Sequence, residues 1–219
     1  MIFVNFKTYQ EGTGKNALAL LAILENVAQK SQIKIIPVLQ AADIKEAAQT
    51  SKLEIWAQNI DPISFGAHTG AVLPEALVED GALGTFLNHS ENKFQDFADL
   101  QKANTRALSV GLKTLIFAGD TKELSSVLGF RSTYVAFEPP ELVGNKTTSV
   151  AQAKPEIISQ AADLANKEGI PLGGGAGIKS AAEVKKSLEL GAVGVAVASD
   201  VVTAENPEKE ILDLVEGFK

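Results

Sequence analysis

At 219 residues, 45% of them hydrophobic, the chain has enough apolar side chains for one large core, and a single domain over 1–219 is expected. A formal net charge of −7 argues against nucleic acid and the membrane surface as partners, while leaving open a small anionic ligand held by a few local donors. With no cysteine, disulfides, thiolate metal sites and cysteine nucleophiles are excluded, which fits a reducing, cytoplasmic setting.

The first apolar run is broken at Asn5 and Lys7, so it does not read as a signal segment, and no later run reaches membrane-spanning length. Strands are predicted at 2–6, 33–39, 54–57, 83–87, 114–117, 133–137, 170–173 and 194–197. Helices are predicted between them at 15–30, 41–51, 74–80, 94–110, 121–128, 154–168, 181–190 and 207–217. The strands are nearly continuous hydrophobic runs, as when both faces of a sheet are covered. Strand–helix alternation with short links implies a parallel sheet with right-handed crossovers. Eight of each fit a closed (β/α)8 barrel; an open doubly wound sheet is the alternative. No linker or low-complexity tract divides the chain.

In such a barrel, residues just past the carboxyl ends of the strands converge on one face. Those positions hold Asn5 and Lys7, then His89, Glu138, the turn Gly175-Ala176-Gly177, and Ala198-Ser199. Glu138 ends an apolar run and is followed by Pro139 and Pro140. Apolar flanks dehydrate a carboxylate and make it a better base, although a solvated strand-end carboxylate is common. His89 lies where strand turns to helix; amides there disfavour a cationic ring and suit a neutral hydrogen-bond donor, against the plainer reading of a structural imidazole. His68, in the loop 65–70, reads as a surface or interface residue. Neither histidine has a second ligand at metal spacing, so no metal site is expected. Alternation on an extended strand points Asn5 and Lys7 to the same side, with Glu91 placed to pair with the lysine. The glycine-rich turn 172–178, followed by a helix, suits an anion, and the run 194–200 with its own short helix strengthens that reading.

Taken in order, Asn5-Phe6-Lys7, Asn88-His89-Ser90-Glu91, Glu138-Pro139-Pro140-Glu141-Leu142-Val143-Gly144, Gly175-Ala176-Gly177-Ile178 and Ala198-Ser199 resemble triosephosphate isomerase in its short archaeal-type form. The motifs cover residues 2 to about 200. The resemblance implies a (β/α)8 TIM barrel that interconverts dihydroxyacetone phosphate and D-glyceraldehyde 3-phosphate, in glycolysis and gluconeogenesis, without metal or organic cofactor. It implies Glu138 as the proton-shuttling base, neutral His89 as the polarising group and Lys7 as the stabiliser of developing negative charge. It makes Asn5, Lys7, Val143, Gly144, Gly177, Ala198 and Ser199 substrate-binding, with Glu91 in support and 139–146 as a lid that excludes water from an enediolate. It also implies a homo-oligomer, dimer or tetramer, with loop 65–72 at an interface.

Four positions depart from the pattern: Asn145 and Lys146 in the lid hinge, Ala71 in the interface loop, and Asp200. Asp200 is expected to point outward as a helix cap. Two other functions stay open at this level. Another phosphate-site barrel, such as an epimerase or an aldolase, is one; an aldolase needs a Schiff-base lysine inside a strand, and of the predicted strands only the second carries a lysine, Lys34, at its beginning. A catalytically silent phosphate binder is the other.

Overall fold

Eight parallel strands pair in chain order, and the eighth pairs with the first, so the sheet closes into a barrel. The computed structural model describes residues 1–138, 155–175 and 177–219. The strands are β1 (Ile2–Asn5), β2 (Ile35–Leu39), β3 (Trp56–Ala57), β4 (Gly84–Leu87), β5 (Lys113–Ala118), β6 (Tyr134–Phe137), β7 (Leu172–Gly174) and β8 (Gly194–Val197). Around them run α1 (Lys15–Ser31), α2 (Ile44–Thr50), α3 (Pro74–Glu79), α4 (Phe97–Ser109), α5 (Thr121–Leu128), α6 (Pro155–Lys167), α7 (Ala181–Glu189), α8 (Ser199–Val202) and α9 (Pro207–Glu216). Closure removes the open-sheet alternative.

Local chemistry sets the boundaries. The helix predicted from residue 94 begins at Phe97, because the Asp96 carboxylate accepts the Ala98 N–H at 2.8 Å and so caps it. Asp120, Ser180 and Asn206 cap α5, α7 and α9 in the same way, each cap contributing about 1 kcal/mol. The segment predicted helical from residue 41 opens with a 3-10 turn, Ala41–Asp43, before α2. Residue 154, the predicted start of α6, lies outside the described residues.

Period-two alternation sorts the strand side chains into two cores. Ile2 and Val4 face outward and pack with Leu20, Leu21 and Leu24 of α1. Phe3 turns inward and joins Ile36, Val38, Trp56, Phe86, Leu115, Phe117 and Ala136. The Trp56 indole lies directly over Gly84, where any Cβ would overlap it. The inward stripes run on toward the carboxyl ends: Phe3 leads to Asn5, and Tyr134 and Ala136 lead to Glu138. Polar groups therefore emerge at the mouth on top of an apolar filling.

Candidate active site

The mouth is a cavity of about 800 Å³ bordered by Asn5, Lys7, His89, Glu91, Glu138, Gly177, Ala198, Ser199 and Asp200, among others. Strand ends scattered from residue 5 to residue 200 thus share one space. Val143 and Gly144, with the rest of the segment 139–146 expected to form a lid, lie outside the described residues.

Asn5 is buried at the end of β1, and its side-chain oxygen accepts the Lys7 N–H at 3.0 Å. Lys7 does not continue the strand. It adopts φ = +47°, a left-handed conformation unusual for a residue with a Cβ. Alternation along an extended strand therefore does not explain why Asn5 and Lys7 meet; a tight turn does. The turn is held by the Asn5 contact and by the Gln58 amide, which donates to the Lys7 carbonyl at 2.8 Å. The Lys7 ammonium lies 2.6 Å from a Glu91 carboxylate oxygen.

His89 stands on the loop after β4. The Glu91 N–H donates to its Nδ1 at 3.2 Å, which selects the tautomer with the proton on Nε2. The ring packs edge-on to Phe117, centroids 4.9 Å apart. Burial draws its pKa from 6.5 down to about 4; Glu91 opposes the shift and Lys7 adds to it. At neutral pH the ring is an uncharged Nε2–H donor.

That nitrogen is 3.5 Å from Glu138 Oε2. Glu138 follows β6, its backbone N–H bonded to the Ala118 carbonyl at 2.8 Å, and it is only 7% exposed. Two neighbours were invisible in its sequence surroundings. Ser90 donates its hydroxyl to Oε2 at 3.2 Å. Gly175 lies against the carboxyl group: a Cβ there would sit 3.3 Å from Oε1, tight enough to displace the group. The signal for Ser90 was its place beside His89; for Gly175 it was the glycine run, read only as an anion turn.

After the neighbouring strands β7 and β8, Gly177 has φ = +75°, and Ala198 and Ser199 lead into α8. The N–H groups of a helix's first turn precede any intrahelical acceptor and suit an anion. Asp200 departs from expectation. Ala198 takes the N-cap position with no side-chain cap bond, and Asp200 is an exposed first-turn residue on the cavity rim. The helix begins two residues earlier than a capping Asp200 requires. His68 is exposed in its loop. Among the described residues no group of three or more His, Asp or Glu side chains gathers as a metal-binding set, and no helix is long and apolar enough to cross a membrane.

Comparison with known proteins agrees with this geometry. The triosephosphate isomerase family model matches residues 1–217. A triosephosphate isomerase of Methanobacterium bryantii is 38% identical over 218 residues, covering 98% of this chain and 95% of the relative. One of Metallosphaera sedula is 37% identical, covering 99% and 95%. One of Methanocaldococcus jannaschii is 35% identical, covering 98% of both. The chain belongs to the triosephosphate isomerase family.

Proposed function

We propose the following roles for the reaction that membership of the family assigns to this chain, the interconversion of dihydroxyacetone phosphate and D-glyceraldehyde 3-phosphate. Glu138 takes a proton from the substrate carbon beside the carbonyl. The electron pair left behind forms the carbon–carbon double bond of an enediolate, and the carbonyl oxygen becomes negative. The His89 Nε2–H and the Lys7 ammonium stabilise that oxygen, and His89 helps move a proton between the two oxygens. Glu138 then returns its proton to the neighbouring carbon. One carbon is oxidised as the next is reduced, so the sum balances without a cofactor. Asn5 orients the substrate. Gly177, Ala198 and Ser199 hold the phosphate through N–H groups, joined by Val143 and Gly144 of the lid, and Glu91 sets the position of Lys7.

The observation that carries this reading is the approach of a neutral His89 to the buried Glu138 at a cavity that Lys7 and the glycine turn also border. The aldolase alternative loses support. The lysine inside a described strand, Lys113 at the start of β5, is bonded to Glu54 at the other end of the barrel. Assembly as a dimer or tetramer through loop 65–72 is part of the same proposal, supported by Phe65, 74% exposed in that loop. So are one catalytic domain over the whole chain and a cytoplasmic location.

Turnover of glyceraldehyde 3-phosphate by the purified chain and by Glu138→Gln tests the reading. The variant is expected to lose about 10²- to 10⁴-fold in kcat while still binding phosphoglycolate. Equal turnover by the two proteins would remove Glu138 from the mechanism.

A further inference from the structure

The loop after β4 holds three side chains that touch the mouth. His89 faces Glu138, Ser90 donates to Glu138, and Glu91 binds Lys7. They sit on a turn closed by the Asn92 N–H bonding the His89 carbonyl at 2.8 Å. Both flanks of this turn lead to one carboxylate. On the near side, Asn88 Nδ2 donates to Glu123 Oε1 at 2.8 Å. On the far side, Lys93 Nζ reaches both Glu123 oxygens, at 2.9 and 2.8 Å. The Gly119 N–H adds a further bond to Oε2 at 2.6 Å.

We infer that Glu123 is a positioning residue for the isomerase reaction: it clamps the two ends of the turn that carries His89, Ser90 and Glu91. The inference rests on the role proposed above for His89. The need for a clamp is local and physical. Asn88 has φ = +59°, a left-handed conformation that swings the chain from β4 toward the cavity. Asparagine tolerates that region better than most residues, but at a cost that its surroundings must offset. The Asn88 amide does so by donating to the Phe117 carbonyl at 2.9 Å and to Glu123, while its oxygen accepts the Phe94 N–H at 3.2 Å. Phe117 is also the residue whose ring packs against His89.

A plainer role for Glu123 also exists. It stands three residues after Asp120, whose side chain accepts its N–H at 2.7 Å, and its own carboxylate reaches back over the start of α5. That resembles a capping box, with the returning bond taken from Gly119, the residue before the N-cap. A cap alone needs neither Asn88 nor Lys93. Its loss lowers stability without altering the tautomer or orientation of His89.

Glu123→Gln separates the two. The amide keeps the shape but turns a donor toward Asn88, Lys93 or Gly119. A misplaced reacting group can lose about 10²-fold, so kcat is expected to fall about 10- to 100-fold with KM changed less than about threefold, since the phosphate cradle lies elsewhere. In ¹⁵N spectra of the variant, the His89 ring nitrogens are expected to lose their distinct Nε2–H pattern. With two histidines in the chain, His68→Gln assigns the signals. Asp96→Ala, which removes the cap of α4, is the matched control for simple helix loss, with kcat expected within about twofold. If Glu123→Gln does not fold, Lys93→Met removes one arm and is expected to lower kcat about three- to tenfold. Unchanged kcat and unchanged His89 signals in the folded variant, with a fall in melting temperature like that of Asp96→Ala, would reduce Glu123 to a cap and overturn the clamp. The spectra report on the turn even for a chain that does not isomerise, so a wrong reaction and a wrong clamp give different results.

Discussion

The two ends of the barrel hold similar chemistry in opposite settings. At the amino-terminal floor, Glu54 accepts from Lys34 at 2.5 Å, from Lys113 at 2.9 Å and from the Trp56 indole at 2.9 Å. An aromatic layer adjoins it: Phe3 packs against Trp56 at 5.1 Å and against Phe86 at 5.7 Å. At the mouth, Lys7 pairs with Glu91 at 2.6 Å, and the Glu91 side chain is 55% exposed. The floor network joins charges to one another across three strands and borders packed rings. The mouth pair borders a cavity, where an anionic ligand can compete with Glu91 for the ammonium, and a surface pair of this kind is weak enough to be exchanged. The same residue types meet packed rings at one end and an open cavity at the other.

The sharpest way to break this contrast is at His89. His89→Gln removes the Nε2–H aimed at the cavity while keeping much of the volume. Loss of one donor to a developing oxyanion typically lowers kcat by about 10²- to 10³-fold. Melting temperature is expected to change little. A variant with near-normal kcat would show that the polarising group lies elsewhere in the mouth.

The barrel was legible because each strand is an apolar run bounded by polar turns, and eight such runs have few ways to be buried. That Glu138, His89 and Lys7 share one cavity was legible because strand ends in a barrel must converge. What escaped depended on contacts between distant residues or on one backbone angle. The turn at Lys7 broke the alternation invoked for Asn5 and Lys7, since nothing in the side-chain pattern reports a positive φ. Glu54 draws its partners from positions 20 residues before and 59 after it, a separation no local pattern reveals. Asp200 looked like a cap because aspartate often is one, but the helix started at Ser199. Glu123 showed only its local Asp-x-x-Glu spacing, and its grip on Asn88 and Lys93 required the fold.

Acid separates the two ends in a second way. The folded pKa of His89 is about 4 against an ordinary 6.5, so on acidification the unfolded chain takes up this proton first. The mouth therefore loses stability as pH falls from about 6.5 to about 4. Glu54 behaves similarly in a lower window. Burial alone would raise its pKa, but the bonds from Lys34, Trp56 and Lys113 hold it below 4.5. Its contribution is complete above that value and is lost as pH falls through the folded pKa. Urea titrations at pH 7, 5 and 3.5 read both windows. Glu54→Gln is expected to lower stability at pH 7 by about 1–3 kcal/mol, to flatten the decline below pH 4.5, and to leave kcat within about twofold. A large loss of kcat in that variant, with the fold intact, would mean that the floor takes part in the chemistry and that the contrast fails.

The smallest expected effect tests how finely the mouth is tuned. Ser90 gives Glu138 a neutral hydroxyl donor at 3.2 Å, whereas Glu54 receives two ammonium groups. That bond fixes one oxygen of the carboxylate proposed above to accept and return a proton. Removing it in Ser90→Ala forfeits roughly 0.5–1.5 kcal/mol, so kcat is expected to fall about two- to tenfold with KM nearly unchanged. Ser90→Thr, which keeps the hydroxyl, is expected to recover part of the loss. Steady-state rates for the pair decide between positioning and passive packing. Equal losses in both variants would mean that the volume at residue 90, and not its donor, matters to Glu138.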